Sequence, residues 1–137
     1  MKKTSILLSF LALLSLILAG CSSGASPSDS GSTTISVTTT DFKFTPSTWT
    51  VPANTQITVN ITNNGALAHT WTVMTKPISG SYTSADQSNI YFTSNPVQPS
   101  ESTTVTFTSP STAGTYQVIC TQPGHFEQGM VGSLIVK

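Results

Sequence analysis

The sequence predicts an all-β domain arranged as a two-sheet β-sandwich, and two observations carry that prediction. Short runs of β-branched and aromatic residues alternate with period two, and clusters of Pro, Asn, Gly and Ser punctuate them. Composition agrees: 37% of the 137 residues are hydrophobic but only 7% are charged, against about a quarter in an ordinary soluble domain, and Ser, Thr, Gly and Pro fill the balance. There is no Arg, and the five Lys stand at 2, 3, 43, 76 and 137, so no cationic stripe forms and a nucleic-acid partner is disfavoured. A chain this rich in apolar residues and poor in charge is not a disordered acidic protein either.

Taken in order, the chain opens with a basic Met1-Lys2-Lys3. An apolar run from Ile6 to Ala19 follows, broken only by Ser9 and Ser15 and too short to span a membrane comfortably. Residues 1–20 therefore read as an export signal. The run ends in Leu18-Ala19-Gly20-Cys21, which resembles the bacterial lipobox and implies cleavage before Cys21 and a lipid on its thiol; the alternative is an ordinary secretory signal with an incidental Cys. Residues 22–33, from Ser22 to Thr33, hold no apolar side chain larger than Ala or Pro, so 21–33 reads as a lipidated Cys on a flexible tether. That tether would span about 20 Å as a coil and about 40 Å pulled straight. The expected location is outside the cytoplasm, lipid-anchored to the extracytoplasmic face of a membrane on its periplasmic or cell-surface side.

Residues 34–137 are expected to form the folded domain. Ile35-Ser-Val37, Gln56 to Thr62, Trp71 to Met74, Thr103 to Thr108, Thr115 to Cys120 and Gly132 to Val136 are the candidate strands. Turns are expected at Pro52-Ala-Asn54, Asn63-Asn-Gly65 and Ser109 to Gly114. Residues 75–100, with Pro77, Gly80, Pro96 and Pro99, read as a long excursion with one turn of helix near Ser84 to Asn89. Phe42, Phe44, Trp49, Trp71, Phe107 and Tyr116 are the large candidate core residues, with Met74 as packing. A sandwich of this size closes a core without metal or disulfide. Once residues 1–20 are removed, Lys43, Lys76 and Lys137 face Asp29, Asp41, Asp86, Glu101 and Glu127, giving −2 from side chains.

The chemistry is concentrated in the last connection. Cys120-Thr-Gln-Pro-Gly-His125-Phe-Glu-Gln-Gly-Met130 sets a thiolate, an imidazole and a thioether at intervals of five. Taken singly, Cys120 reads as a buried inert thiol and a lone His or Met as packing. Together they form a soft donor set. Two His and one Cys with a weak axial Met make a blue-copper electron-transfer site. The chain's other His, His69, precedes the Trp71 strand, and strand ends are where a sandwich gathers its loops.

Over residues 34–137 the chain resembles the cupredoxins, the small blue copper proteins. The run Cys120-Thr-Gln-Pro-Gly-His125, then Met130-Val-Gly132-Ser-Leu, is similar to the azurin and auracyanin loops, with the Cys-x4-His-x4-Met spacing of auracyanin. Phe44-x-Pro46 and Val51-Pro-Ala-Asn54 resemble the family's N-terminal half. The resemblance implies a Greek-key β-sandwich holding one copper that cycles between Cu(I) and Cu(II). His69, Cys120 and His125 would be the equatorial ligands, Met130 the axial one, and the Ala68 carbonyl a further weak axial donor. Thr70 stands where many members have Asn, opposite Thr121, and Gln122 where azurin and auracyanin have an aromatic. The backbone N–H groups of Thr70 and Gln122 are expected to bond the Cys120 sulfur.

The expected function is single-electron transfer between redox partners at the outer face of a membrane, by a monomer. By resemblance His125 carries the edge nearest the surface, and Ala66, Leu67, Ala68, Pro123, Gly124 and Phe126 around it would form an apolar patch for transient docking. A cytochrome, a quinol-oxidising complex, a reaction centre or a terminal oxidase is the expected partner class. Multicopper enzymes need further His for a second centre, and both His are already assigned, so no enzymatic activity is expected. The competing readings are a copper-delivery or storage lipoprotein, which would favour Met-rich or His-rich exposed ligands, and a metal-free Ig-like adhesion module with an idle thiol.

Overall fold

The structure, a computed structural model, describes residues 31–137. The expected export signal, Cys21 and most of the tether lie outside the described residues. Among the described residues the alternation of the sequence is realised as nine strands: β1 (Thr34–Thr40), β2 (Lys43–Thr45), β3 (Thr48–Val51), β4 (Gln56–Asn63), β5 (Thr72–Met74), β6 (Ile90–Thr93), β7 (Ser102–Thr108), β8 (Gly114–Ile119) and β9 (Val131–Val136). One sheet runs β2-β1-β4-β7 and the other β3-β9-β8-β5-β6. The pairs β1–β4 and β3–β9 are parallel and the rest antiparallel.

Period two produces the core directly. β4 turns Ile57, Val59 and Ile61 inward and Thr58, Asn60 and Thr62 outward, and β1 does the same with Ile35 and Val37. Each such aliphatic side chain contributes about 1.5–3 kcal/mol on burial. Between the sheets, Trp71 meets Trp49 edge-on at 5.6 Å and Phe107 at 5.7 Å, and Phe107 stacks on Phe92 at 4.8 Å. A second cluster joins Met74, Ile119 and Phe126.

Several details differ from the sequence expectation. The 75–100 excursion does hold a 3-10 turn at Ser84–Asn89, but the chain then re-enters the sheet as β6 beside β5. β2 and β3, three and four residues long, were hidden because so few residues barely complete one alternation. Phe42 and Tyr116 are only half-buried: Tyr116 directs its hydroxyl to the Thr112 carbonyl, and Phe42 sits in the turn after β1. The tether also ends earlier than expected. Ser32 N–H donates to the Thr50 carbonyl and Thr33 accepts from Thr58 N–H, so backbone pairing begins just before β1. From there β1 carries the chain along the sandwich to Asp41.

Candidate metal centre

Two segments bring the predicted ligands together. His69 lies in the connection between β4 and β5, three residues before β5 opens. It is fixed by an isolated bridge in which His69 N–H donates to the Val97 carbonyl at 3.1 Å and Val97 N–H returns the bond at 2.9 Å. Cys120 follows the last residue of β8, and Met130 directly precedes β9. The loop between them is held by its own backbone: His125 N–H bonds to Gln122, Gly129 N–H to Phe126, and Met130 N–H to His125. Gly124 and Gly129 make its two tight reversals at φ 81° and 88°, backbone that a side chain disfavours.

The result is a compact cluster of donor atoms. His69 Nδ1 lies 3.1 Å from His125 Nδ1, and Cys120 Sγ lies 3.4 Å from His125 Nδ1 and 3.9 Å from His69 Nδ1. All three residues are buried. Three ligands at about 2.0–2.3 Å around one ion need edges of about 3.5–3.8 Å, and the observed triangle brackets that range. Met130 is fully buried, and its backbone bonds to both loop ligands: its N–H donates to the His125 carbonyl and its carbonyl accepts from Cys120 N–H. Two imidazoles and a thiolate, with a thioether carried by the same loop, are the donor chemistry of a type 1 copper site, and these residues fit one copper.

Around the sulfur, Thr70 N–H donates to Cys120 Sγ at 3.4 Å and the Thr70 hydroxyl approaches it at 3.8 Å. The Gln122 N–H also favours the ionised form of this sulfur, after Thr70 N–H. The Thr70 hydroxyl further accepts from Thr121 N–H at 2.8 Å and meets the Thr121 hydroxyl at 2.9 Å.

With this geometry in place, similarity to known proteins becomes decisive. A family model described as a cupredoxin-like domain matches residues 10–136. The chain belongs to the cupredoxin-like family. Auracyanin-A of Chloroflexus aurantiacus is 32% identical to it over 154 aligned residues, covering 94% of each chain. The solved structure of that auracyanin A, described as a "blue" copper protein from a green thermophilic photosynthetic bacterium, superposes with a TM-score of 0.64 at 32% identity, over 76% of this chain and 98% of that one. Dithionite-reduced auracyanin from Roseiflexus castenholzii gives a TM-score of 0.67 at 28% identity, over 78% and 98%.

The electrostatics of this cupredoxin's site follow from burial. Burial pushes the Cys120 thiol up, and the N–H bonds from Thr70 and Gln122 oppose it without cancelling it. Burial, then the neighbouring His69, holds His125 below the usual imidazole range, against a weaker pull from Asp41. An imidazole kept neutral is ready to ligate.

The surroundings of the cupredoxin site differ from the expected patch in three residues. Ala66, Leu67, Pro123 and Gly124 are exposed and Ala68 is half-buried, but Phe126 turns inward against Met74 and Ile119 and leaves the surface. Its place beside His125 is taken by Phe42, whose ring meets the imidazole edge-on at 4.8 Å. The third difference is Asp41, whose carboxylate lies 2.9 Å from His69 Nε2. The N–H of Ala66 leads the groups that hold Asp41 below the usual carboxylate range, with burial opposing and His69 and Leu67 N–H assisting. No spacing pattern marks a contact across 28 residues. The available clue was a carboxylate placed in a turn of a chain that has so few charges.

Proposed function

We propose that this cupredoxin is a mononuclear type 1 copper protein that shuttles single electrons between redox partners at the outer face of a membrane, anchored there by lipid on Cys21. The observation that carries the reading is the convergence of two imidazole nitrogens and one buried thiol at one end of a rigid sandwich. Among the described residues this is the one cluster of three or more His, Cys, Asp and Glu side chains that could hold a metal ion, which suits one-electron chemistry at a single site. Bound copper supplies the Cu(II)/Cu(I) couple.

The protein's own residues do the rest. His69, Cys120 and His125 would hold the metal, with the Met130 thioether as a further weak donor and the Ala68 carbonyl as the backbone group next to His69. Because the Val97 bridge and the loop's backbone bonds fix these side chains before the metal arrives, little rearrangement accompanies a change of oxidation state. Thr70 and Gln122 stabilise the thiolate by donating to its sulfur. His125, 7% exposed, is close to the surface and follows exposed Pro123 and Gly124, while exposed Ala66 and Leu67 precede its partner His69 in the chain. With so few charges nearby, docking to a cytochrome, quinol-oxidising complex, reaction centre or terminal oxidase is expected to be apolar, brief and only weakly dependent on salt.

Adding Cu(II) to the metal-free protein and recording its optical spectrum tests the reading. An intense blue thiolate-to-copper band, reversibly bleached by reductant and absent in Cys120→Ser, is expected. A colourless complex refutes the electron carrier, and a band surviving in Cys120→Ser refutes the ligand assignment.

A further inference from the structure

His69 uses both sides of its ring. Nδ1 faces the cluster, 3.1 Å from His125 Nδ1, while Nε2 faces away and lies 2.9 Å from Asp41 Oδ1. An ionised carboxylate can only accept, so Nε2 carries the proton and Nδ1 offers its lone pair to the metal. Asp41 is itself held in place: Oδ2 accepts Ala66 N–H at 3.0 Å and Oδ1 accepts Leu67 N–H at 3.3 Å. The turn that supplies these N–H groups is shaped around the pair. A Cβ at Gly65 would lie 2.5 Å from Asp41 Oδ1 and 2.9 Å from His69 Nε2, closer than side-chain carbons come, so the carboxylate and imidazole fit only because residue 65 has no side chain.

We propose that Asp41 is a positioning residue of the metal centre, which locks His69 with Nδ1 toward copper and, through its negative charge one imidazole ring away, favours the oxidised ion. His69 is fully buried, so no water competes for its Nε2–H. Asp41 keeps 28% of its side chain in solvent, which damps its field without removing it. The placement also explains why a chain with so few charges puts a carboxylate in the turn between β1 and β2: the charge is directed at the site rather than at solvent.

The inference rests on the copper reading, and the test separates the two. Wild type, Asp41→Asn, Asp41→Ala and Gly65→Ala are compared by reduction potential, Cu(II) affinity and the imidazole 15N shifts of the metal-free protein. Asp41→Asn keeps the shape and an acceptor while losing the charge, so the blue band is retained. The potential is expected to rise enough to increase the Cu(I):Cu(II) ratio at fixed applied potential by roughly ten-fold. Asp41→Ala is expected to lose about 10- to 100-fold in Cu(II) affinity and to release the His69 tautomer from its Nε2–H form. Gly65→Ala, which pushes the carboxylate off the ring, should move all three readouts in the direction of Asp41→Ala. Variants that melt earlier but keep the wild-type potential and tautomer overturn the proposal and leave Asp41 a structural tie. A wild-type protein with no blue band overturns the copper reading, and this proposal with it.

Discussion

Thr70 and Thr121 join the two ligand-bearing segments hydroxyl to hydroxyl at 2.9 Å, and Thr121 N–H adds a second bond to the Thr70 oxygen at 2.8 Å. One side chain thus ties the segment of His69 to the loop of Cys120 while its own N–H holds the sulfur. Thr70→Val keeps the shape and removes the oxygen, stranding Thr121 N–H. A stability loss of about 1–3 kcal/mol is expected in urea melts of the metal-free protein. Thr70→Ser, which retains the hydroxyl, should stay closer to wild type; equal losses in the two variants would assign the effect to packing.

Met130 poses a sharper question, because a fully buried Met is also good packing. Met130→Leu conserves volume, so it should cost less than about 1.5 kcal/mol. Cu(II) gains more than Cu(I) from an additional weak donor, so the reduction potential should rise and the visible spectrum should shift. An unchanged potential and spectrum would reduce Met130 to a core residue.

Folding takes the Cys120 thiol out of water and raises its pKa. In the unfolded chain the thiol ionises first, from about pH 8.5, so above that pH the unfolded state binds fewer protons than the folded one. Stability of the metal-free protein must then fall with rising pH until the folded thiol ionises as well. Urea midpoints of wild type and Cys120→Ala between pH 7 and 10 should diverge above pH 8.5, with the wild type losing ground. Parallel curves would remove burial of the thiol as the cause.

If Cys21 bears lipid, cells fed labelled palmitate will yield labelled protein in the membrane fraction, and Cys21→Ala will be unlabelled. Label retained by Cys21→Ala would place the modification elsewhere.

The long strands were legible because alternation over six to eight residues, as in β4, β7 and β9, leaves little choice of face. β2, β3 and β6 were not, since three or four residues take their identity from a partner strand, as Trp49 does from Leu134 across the β3–β9 pair. The grouping of His69, Cys120 and His125 was legible for a chemical reason: two of them share one loop with Met130, and His69 is the chain's only other His. What surrounds them was harder to see. Phe126 was expected at the surface on its neighbours' account, but Met74 and Ile119 offer it apolar contact on the inside. Asp41 and Phe42 reach the site through the turn after β1, a tertiary placement that no local pattern encodes.

The path of β1 gives the molecule a direction. Backbone pairing starts at Ser32 beside Thr50, and seven strand residues later the chain arrives at Asp41 beside His69, so its point of entry and its donor cluster occupy opposite poles, about 20 Å apart. Whatever the N-terminal segment attaches to, the chain enters at the end away from the donor cluster and leaves that cluster unobstructed by its own entry strand.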